Sequence, residues 1–230
     1  MKRHKFGRRG FTLVELVFVI AIILVLAGIF LPLALSKLQE ADQARVSGDL
    51  QALAASLTTF FTDVRRFPAC NSTDCDPLND SSNDLSILVF KADTSDVATT
   101  DIPTTNATPA CSQAWNAAAN LVTANPDQNN AFNHLVVNNP NGDSTTDDTS
   151  VTTGDYKKFK GPYIGKVGKD PFGQFYVAHI GAIEKDGTVI NTTGTGYGWL
   201  LSAGADAVFQ TCPESTALAG DDRGFIFATQ

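Results

Sequence analysis

Histidine is nearly missing from this chain. Three are present, His4, His134 and His179, and no two lie at metal-ligand spacing. That disfavours a zinc or iron site built on imidazoles. Basic residues are also few: 17 Lys and Arg stand against 24 Asp and Glu, for a net charge of −7 and a pI near 4.8. Such a balance argues against nucleic acid as a main ligand. Nucleotide motifs are lacking as well. Gly165-Lys166-Val167-Gly168-Lys169-Asp170 has neither the spacing nor the Ser/Thr of a phosphate loop, and Thr193-Gly194-Thr195-Gly196-Tyr197-Gly198 opens no helix and reads as a turn. His134 and His179 have no Ser or Cys nucleophile signature beside them, so the residues point to no enzyme. Asp74, Asp76, Asp80 and Asp84 cluster, but the glycine of an EF-hand is missing and the segment reads as solvated loop.

What is present is asymmetric. The chain has 230 residues, 43% hydrophobic and 18% charged, which excludes a disordered or fibrous protein. Five of the 17 basic residues lie in the first ten, MKRHKFGRRG, which leaves 12 basic residues against 24 acidic ones and a net −12 for the rest. An apolar run of 25 residues follows, Phe11 to Leu35, whose strongly polar members are Thr12 and Glu15. As a helix it spans ~37 Å at ~1.5 Å per residue, enough to cross a ~30 Å hydrocarbon layer. Positive charge ahead of the span keeps that end cytoplasmic and places the C-terminal bulk outside. No small-x-small site of an ordinary secretory signal follows the run.

Glu15 is costly inside that run. A carboxylate in hydrocarbon costs roughly 2–3 kcal/mol or more without a partner. Cleavage after Gly10 would free an amino group at Phe11, about one helical turn away, and that charge could pair with Glu15 of a neighbouring subunit. Arg9-Gly10 followed by Phe11-Thr12-Leu13-Val14-Glu15 and a long apolar run resembles the leader of type IV pilins and type II secretion pseudopilins. The resemblance implies that a prepilin peptidase cuts between Gly10 and Phe11, that Phe11 is then N-methylated, and that Glu15 guides assembly. Pro32 fits the family too; proline removes a backbone bond and kinks a helix.

The fold expected is α+β, a pilin-like lollipop: a long N-terminal transmembrane and amphipathic helix packed on an antiparallel β-sheet head. Residues 1–10 are the cleaved basic leader, 11–35 the membrane half of the helix, 36–65 its amphipathic half, and 66–230 a periplasmic head with inserted loops at about 91–155. Val46, Leu50, Leu53, Leu57, Phe61 and Val64 form the expected core stripe, and Pro68 marks the helix end. Asn83-Asp84 could cap a short helix over Leu85–Phe90, and Ser112 a second one through Val122. The segment from Asp93 to Pro109 reads as loop, as do residues 138–155. Strands are expected at Tyr163–Val167, Gln174–Ile183, Thr188–Ile190, Gly198–Leu201 and Gly224–Thr229, with turns at 184–187 and Asp170–Gly173.

Within the family, the stretches Gly161-Pro162-Tyr163-Ile164, Lys169-Asp170-Pro171-Phe172-Gly173, Leu200–Asp206 and Asp221-Asp222 resemble the major pseudopilin, the G protein of type II secretion. That likeness implies calcium in the last loop, held by Asp206, Asp221 and Asp222 with backbone oxygens near Leu201 and Ser202. Calcium takes about 6–8 oxygen ligands, so the set is chemically sensible. The loop departs from the family in length and carries Cys212 and Pro213. Four cysteines allow three connectivities, among which sequence does not choose; the expectation is Cys70–Cys75 and Cys111–Cys212 in an oxidising compartment.

Three functions follow. The first is a subunit of a homo-oligomeric periplasmic pseudopilus that drives protein export, working with minor pseudopilins, an inner-membrane platform protein and a cytoplasmic assembly ATPase. The second is a subunit of a surface type IV pilus for adhesion, motility or DNA uptake. The third is a non-polymerising domain anchored in membrane lipid.

Overall fold

The computed structural model describes residues 10–69, 85–108, 110–112, 114–117, 126–140, 156–180 and 197–228. The chain divides into two compact units, one ending at Ala44 and one beginning at Arg45. Helix α1, Leu13–Val64, contributes to both and runs without interruption through Pro32. Its 52 residues give it a length of about 78 Å.

Among the described residues of the first unit, no apolar side chain is covered. Phe18, Leu24, Ile29 and Leu33 are all exposed. The helix is long and apolar enough to cross a membrane, and none of its most apolar stretch is buried. A helix that is apolar all round requires a non-aqueous surrounding.

The second unit begins where α1 becomes two-faced. Val46, Leu50, Leu53, Leu57, Phe60 and Val64 are buried, in steps of four and three. This corrects the expected stripe at one place: Phe60 takes the core position, and Phe61 lies half-buried, stacked on Phe67 at 4.8 Å. The alternation of four and three after Leu57 leads to residue 60, because two steps of four would rotate the stripe off the seam.

The sheet is four-stranded and antiparallel in the order β1 (Ile87–Val89), β3 (Val177–His179), β4 (Gly198–Ser202), β6 (Arg223–Ala228). Side chains alternate across it. Leu88, Ala178 and Leu200 pair across three strands and pack with the α1 stripe. Their neighbours Ile87, Val89, Val177, Trp199 and Leu201 point to the opposite face and meet a second core of Val97, Ile102, Trp115, Ala203 and Phe209. A short parallel pair, β2 (Thr104–Thr105) with β5 (Val208–Phe209), belongs to that second layer.

Several expectations are corrected here. Leu85–Phe90 contains strand β1 and no helix: a short run buried on both faces carries no periodicity to separate the two. No helix appears among the described residues of 112–117, where Trp115 sits in a turn with its indole N–H on the Thr211 carbonyl, 2.7 Å away. The supposed loop 93–109 holds a 3₁₀ turn at Thr99–Asp101 and strand β2. Tyr163–Val167 is extended but joins no sheet; Tyr163, Ile164 and Val167 pack on the helix-side core instead. The strand at 188–190, the turn at 184–187 and most of the loop 138–155 lie outside the described residues. The turn at Asp170–Gly173 stands as expected: Asp170 Oδ1 accepts the N–H groups of Phe172 and Gln174 at 3.0 and 2.8 Å, and Gly173 takes a φ of 89°.

Candidate functional site

Two places carry the residues singled out by sequence. The first is the start of α1. Gly10 is exposed, with open space where a Cβ would stand, and Phe11 is 89% exposed, so the bond between them is accessible. Thr12 and Glu15 close a reciprocal cap. The Thr12 N–H donates to Glu15 Oε2 at 2.8 Å, the Thr12 hydroxyl donates to the same oxygen at 3.0 Å, and the Glu15 N–H donates to Thr12 Oγ1 at 3.3 Å. Two N–H groups with no partner inside the helix are thereby satisfied. Besides the intermolecular role expected of Glu15, the carboxylate thus has a second, intramolecular one, and Thr-x-x-Glu ahead of an apolar run is its sequence signal. In this geometry the carboxylate is occupied by its own chain. Pro32 stands in mid-helix without ending it.

The second place is the loop after β4. Leu201 and Ser202 are strand residues opposite Gly224 and Arg223. The Ser202 hydroxyl donates to Asp170 Oδ2 at 2.7 Å, a buried pair 32 residues apart that the sequence reading missed. Asp221 Oδ2 accepts from the N–H groups of Ala205 and Asp206 at 2.7 and 3.3 Å. Gly204 makes this possible: its φ is 69°, and a Cβ there would stand 2.5 Å from the Asp221 carbonyl oxygen. Asp206 caps the Val208 N–H at 2.9 Å and meets the Gln210 amide. Asp222 is buried, and its Oδ2 accepts from Gln210 and Thr211 N–H at 2.9 and 2.6 Å. Its Oδ1 is buried without a partner. Burial pushes the Asp222 carboxyl up to about 6, against the pull of those hydrogen bonds.

These oxygens suit calcium by type. They are not gathered into one shell, because Asp206 and Asp221 point at the loop's own N–H groups. Among the described residues, the group of three potential ligands that does converge is Cys111, Cys212 and Glu214. Its two sulfurs are joined in a disulfide, with Cα atoms 5.2 Å apart, so they are not free to ligate. That bond is the expected Cys111–Cys212 pair; Cys70 and Cys75 lie outside the described residues. Glu214 supports it, accepting the Ser112 N–H at 2.6 Å.

The two described histidines are buried structural groups. His134 Nε2 faces the Gln128 carbonyl at 2.8 Å, which can only accept, so Nε2 carries the proton and Nδ1 accepts from the Tyr156 hydroxyl at 2.7 Å. His179 Nδ1 donates to the Tyr197 carbonyl at 3.1 Å, and its ring meets the Trp115 ring in a near-perpendicular pair 5.6 Å apart. Burial lowers both to about 4.

Comparison with known proteins fits the first place. Residues 5–31 match the family described as the prokaryotic N-terminal methylation motif. The type II secretion system core protein G of Klebsiella pneumoniae is 39% identical over 61 residues, which is 26% of this chain. The chain spans 44% of the length of that relative. No solved structure matches the chain. Pseudopilins and pilins are structural rather than catalytic proteins. The matched motif lies over the leader junction and the start of α1, and the likeness to core protein G extends over about a quarter of the chain.

Proposed function

We propose that this chain is a structural, non-catalytic subunit of a type II secretion pseudopilus. The observation that carries the reading is an apolar first half of α1 left uncovered, opening on an accessible Gly10–Phe11 bond with a carboxylate in its first turn. In this reading a prepilin peptidase removes residues 1–10 and Phe11 is methylated. Processed copies wait in the inner membrane with their heads in the periplasm. Assembly moves each stem from lipid into a core of other stems, so little apolar surface meets water at any step. Glu15 then exchanges its Thr12 partner for the new amino group of an adjacent copy. The chain has no nucleotide motif, so an ATPase and a platform protein supply the work, and minor pseudopilins complete the fibre. The likeness to a secretion protein favours this over a surface pilus.

Glu15→Ala tests the reading. The variant is expected to reach the membrane and lose its leader, yet to be missing from sheared filaments. Unimpaired assembly would refute the role of Glu15, and a native protein that keeps residues 1–10 by mass spectrometry would refute the whole reading.

Calcium is part of the proposal. Its support is the oxygen-only set of Asp206, Asp221 and Asp222 and the unpartnered buried Oδ1 of Asp222. An ion that binds only the folded form stabilises it, by about 2.7 kcal/mol at a hundredfold excess over Kd. The full chain in detergent should therefore melt higher in millimolar calcium than in chelator. An unchanged melting curve would remove calcium from the reading.

A further inference from the structure

Positive charge is scarce beyond residue 10, where 12 basic residues face 24 acidic ones. A third of those 12 line one pocket. Arg65, Arg66, Lys157 and Lys158 surround a cavity of about 300 Å³ together with Val64 and Tyr156, and none of its described lining residues is acidic. Elsewhere in this unit Arg45 pairs with Asp49, Lys91 with Asp101 and Lys160 with Asp63, Lys169 stands over the Phe175 ring, and Arg223 donates to the Asp221 and Asp222 carbonyls. Among the described residues none of the four pocket cations makes an ion pair. Arg66 is the most demanding of them. Its Nη1 is buried with no hydrogen-bond partner, and a buried charged donor left unpaired is costly. Arg65 sits just past the end of α1 at a φ of 64°, the left-handed position that glycine fills most easily. A cation is held there against the backbone preference.

We propose that this pocket receives a carboxylate side chain from a second copy of the chain. Charge complementarity selects the occupant. Copies that each carry a net −12 beyond the leader repel one another, and four clustered cations with no acid among the described lining residues give that acidic surface a place to dock; the pocket lined by Arg45, Lys166 and Lys169 also holds Asp49. A guanidinium binds a carboxylate in a fixed fork, so the contact sets register as well as attraction. The inference rests on the assembly reading above and adds the contact by which heads would recognise each other.

The test uses the full chain in assembling cells and in sheared polymer. Copies labelled with ¹⁴N and ¹⁵N are mixed and treated with a carbodiimide, which condenses a lysine amine and a carboxylate into an amide and leaves as the urea. The expected result is an amide from Lys157 or Lys158 to an acid of the other isotope. Lys158→Glu, an exposed change, and Arg66→Glu should each lower polymer yield by about tenfold or more, with Arg66→Lys retaining more than Arg66→Glu. Leader removal and the Cys111–Cys212 bond should be unchanged, which separates a docking defect from misfolding. Wild-type polymer yield in Lys158→Glu, or amides formed only within one chain, would overturn the pocket and leave the assembly reading standing. Cleaved wild-type chains that never polymerise would overturn both.

Discussion

Replacing Phe60 and Phe61 one at a time by alanine separates a core position from its neighbour. Phe60 is fully buried, with the rings of Tyr156 and Tyr163 set edge-on at 4.9 and 5.4 Å. Losing the ring removes its transfer free energy and leaves a cavity, a cost of about 3–5 kcal/mol, with the two aromatic contacts inside that figure. Phe61 is half-buried and keeps one stacked partner, Phe67. Its loss should cost about 1 kcal/mol, near the centre of ordinary substitutions. At roughly 2–4 °C per kcal/mol for a unit of this size, Phe60→Ala lowers Tm by about 6–20 °C and Phe61→Ala by only a few degrees. Near-ultraviolet circular dichroism of the full chain in detergent follows the melt, since the affected rings dominate that signal. Equal losses from the two variants would refute the assignment of the seam. A larger loss from Phe61→Ala would restore the stripe expected from sequence.

Two further outcomes are expected. His134 and His179 are neutral in the folded protein with values near 4, whereas an unfolded imidazole protonates near 6.5. The unfolded state therefore binds more protons between those values. Stability should be intact above about pH 6.5, fall as pH drops, and be reduced by about 3 kcal/mol for each histidine below pH 4; imidazole NMR signals that titrate near 6.5 in the native protein would contradict this. Removing the Cys111–Cys212 bond, which links residues 101 apart in sequence, should cost about 2–5 kcal/mol; a Cys111→Ser, Cys212→Ser double variant that melts like the parent would show that the bond restrains nothing.

Local patterns were readable in the sequence and distant meetings were not. The leader junction, Glu15 and the apolar run lie within some 25 adjacent residues, so the sequence places them together before any folding. The helix end is likewise written locally: α1 stops at Val64, four residues before Pro68. Helix and strand could not be told apart at Leu85–Phe90, because burial on both faces erases the period that distinguishes them. At Tyr163–Val167 the apolar residues did mark burial, but burial against a helix rather than membership of a sheet. The Asp170–Ser202 pair and the union of Arg65 and Arg66 with Lys157 and Lys158 depend on chain segments brought together only by the fold. Nothing in spacing announces such contacts. The capping box, by contrast, is local: Thr12 and Glu15 stand three residues apart, so their reciprocal bonds are legible in the sequence.

The central wall of the second unit has dry material on either side. Consecutive residues of one strand thus answer to different neighbours: Leu200 to the long helix, Leu201 to the layer around Trp115 and Phe209. A change in bulk at one of them is absorbed in one compartment and passes unnoticed in the other. The wall can therefore adapt to a remodelled outer layer through Val89, Val177, Leu201 and Ile226 while Leu88, Ala178, Leu200 and Phe225 keep faith with the long helix.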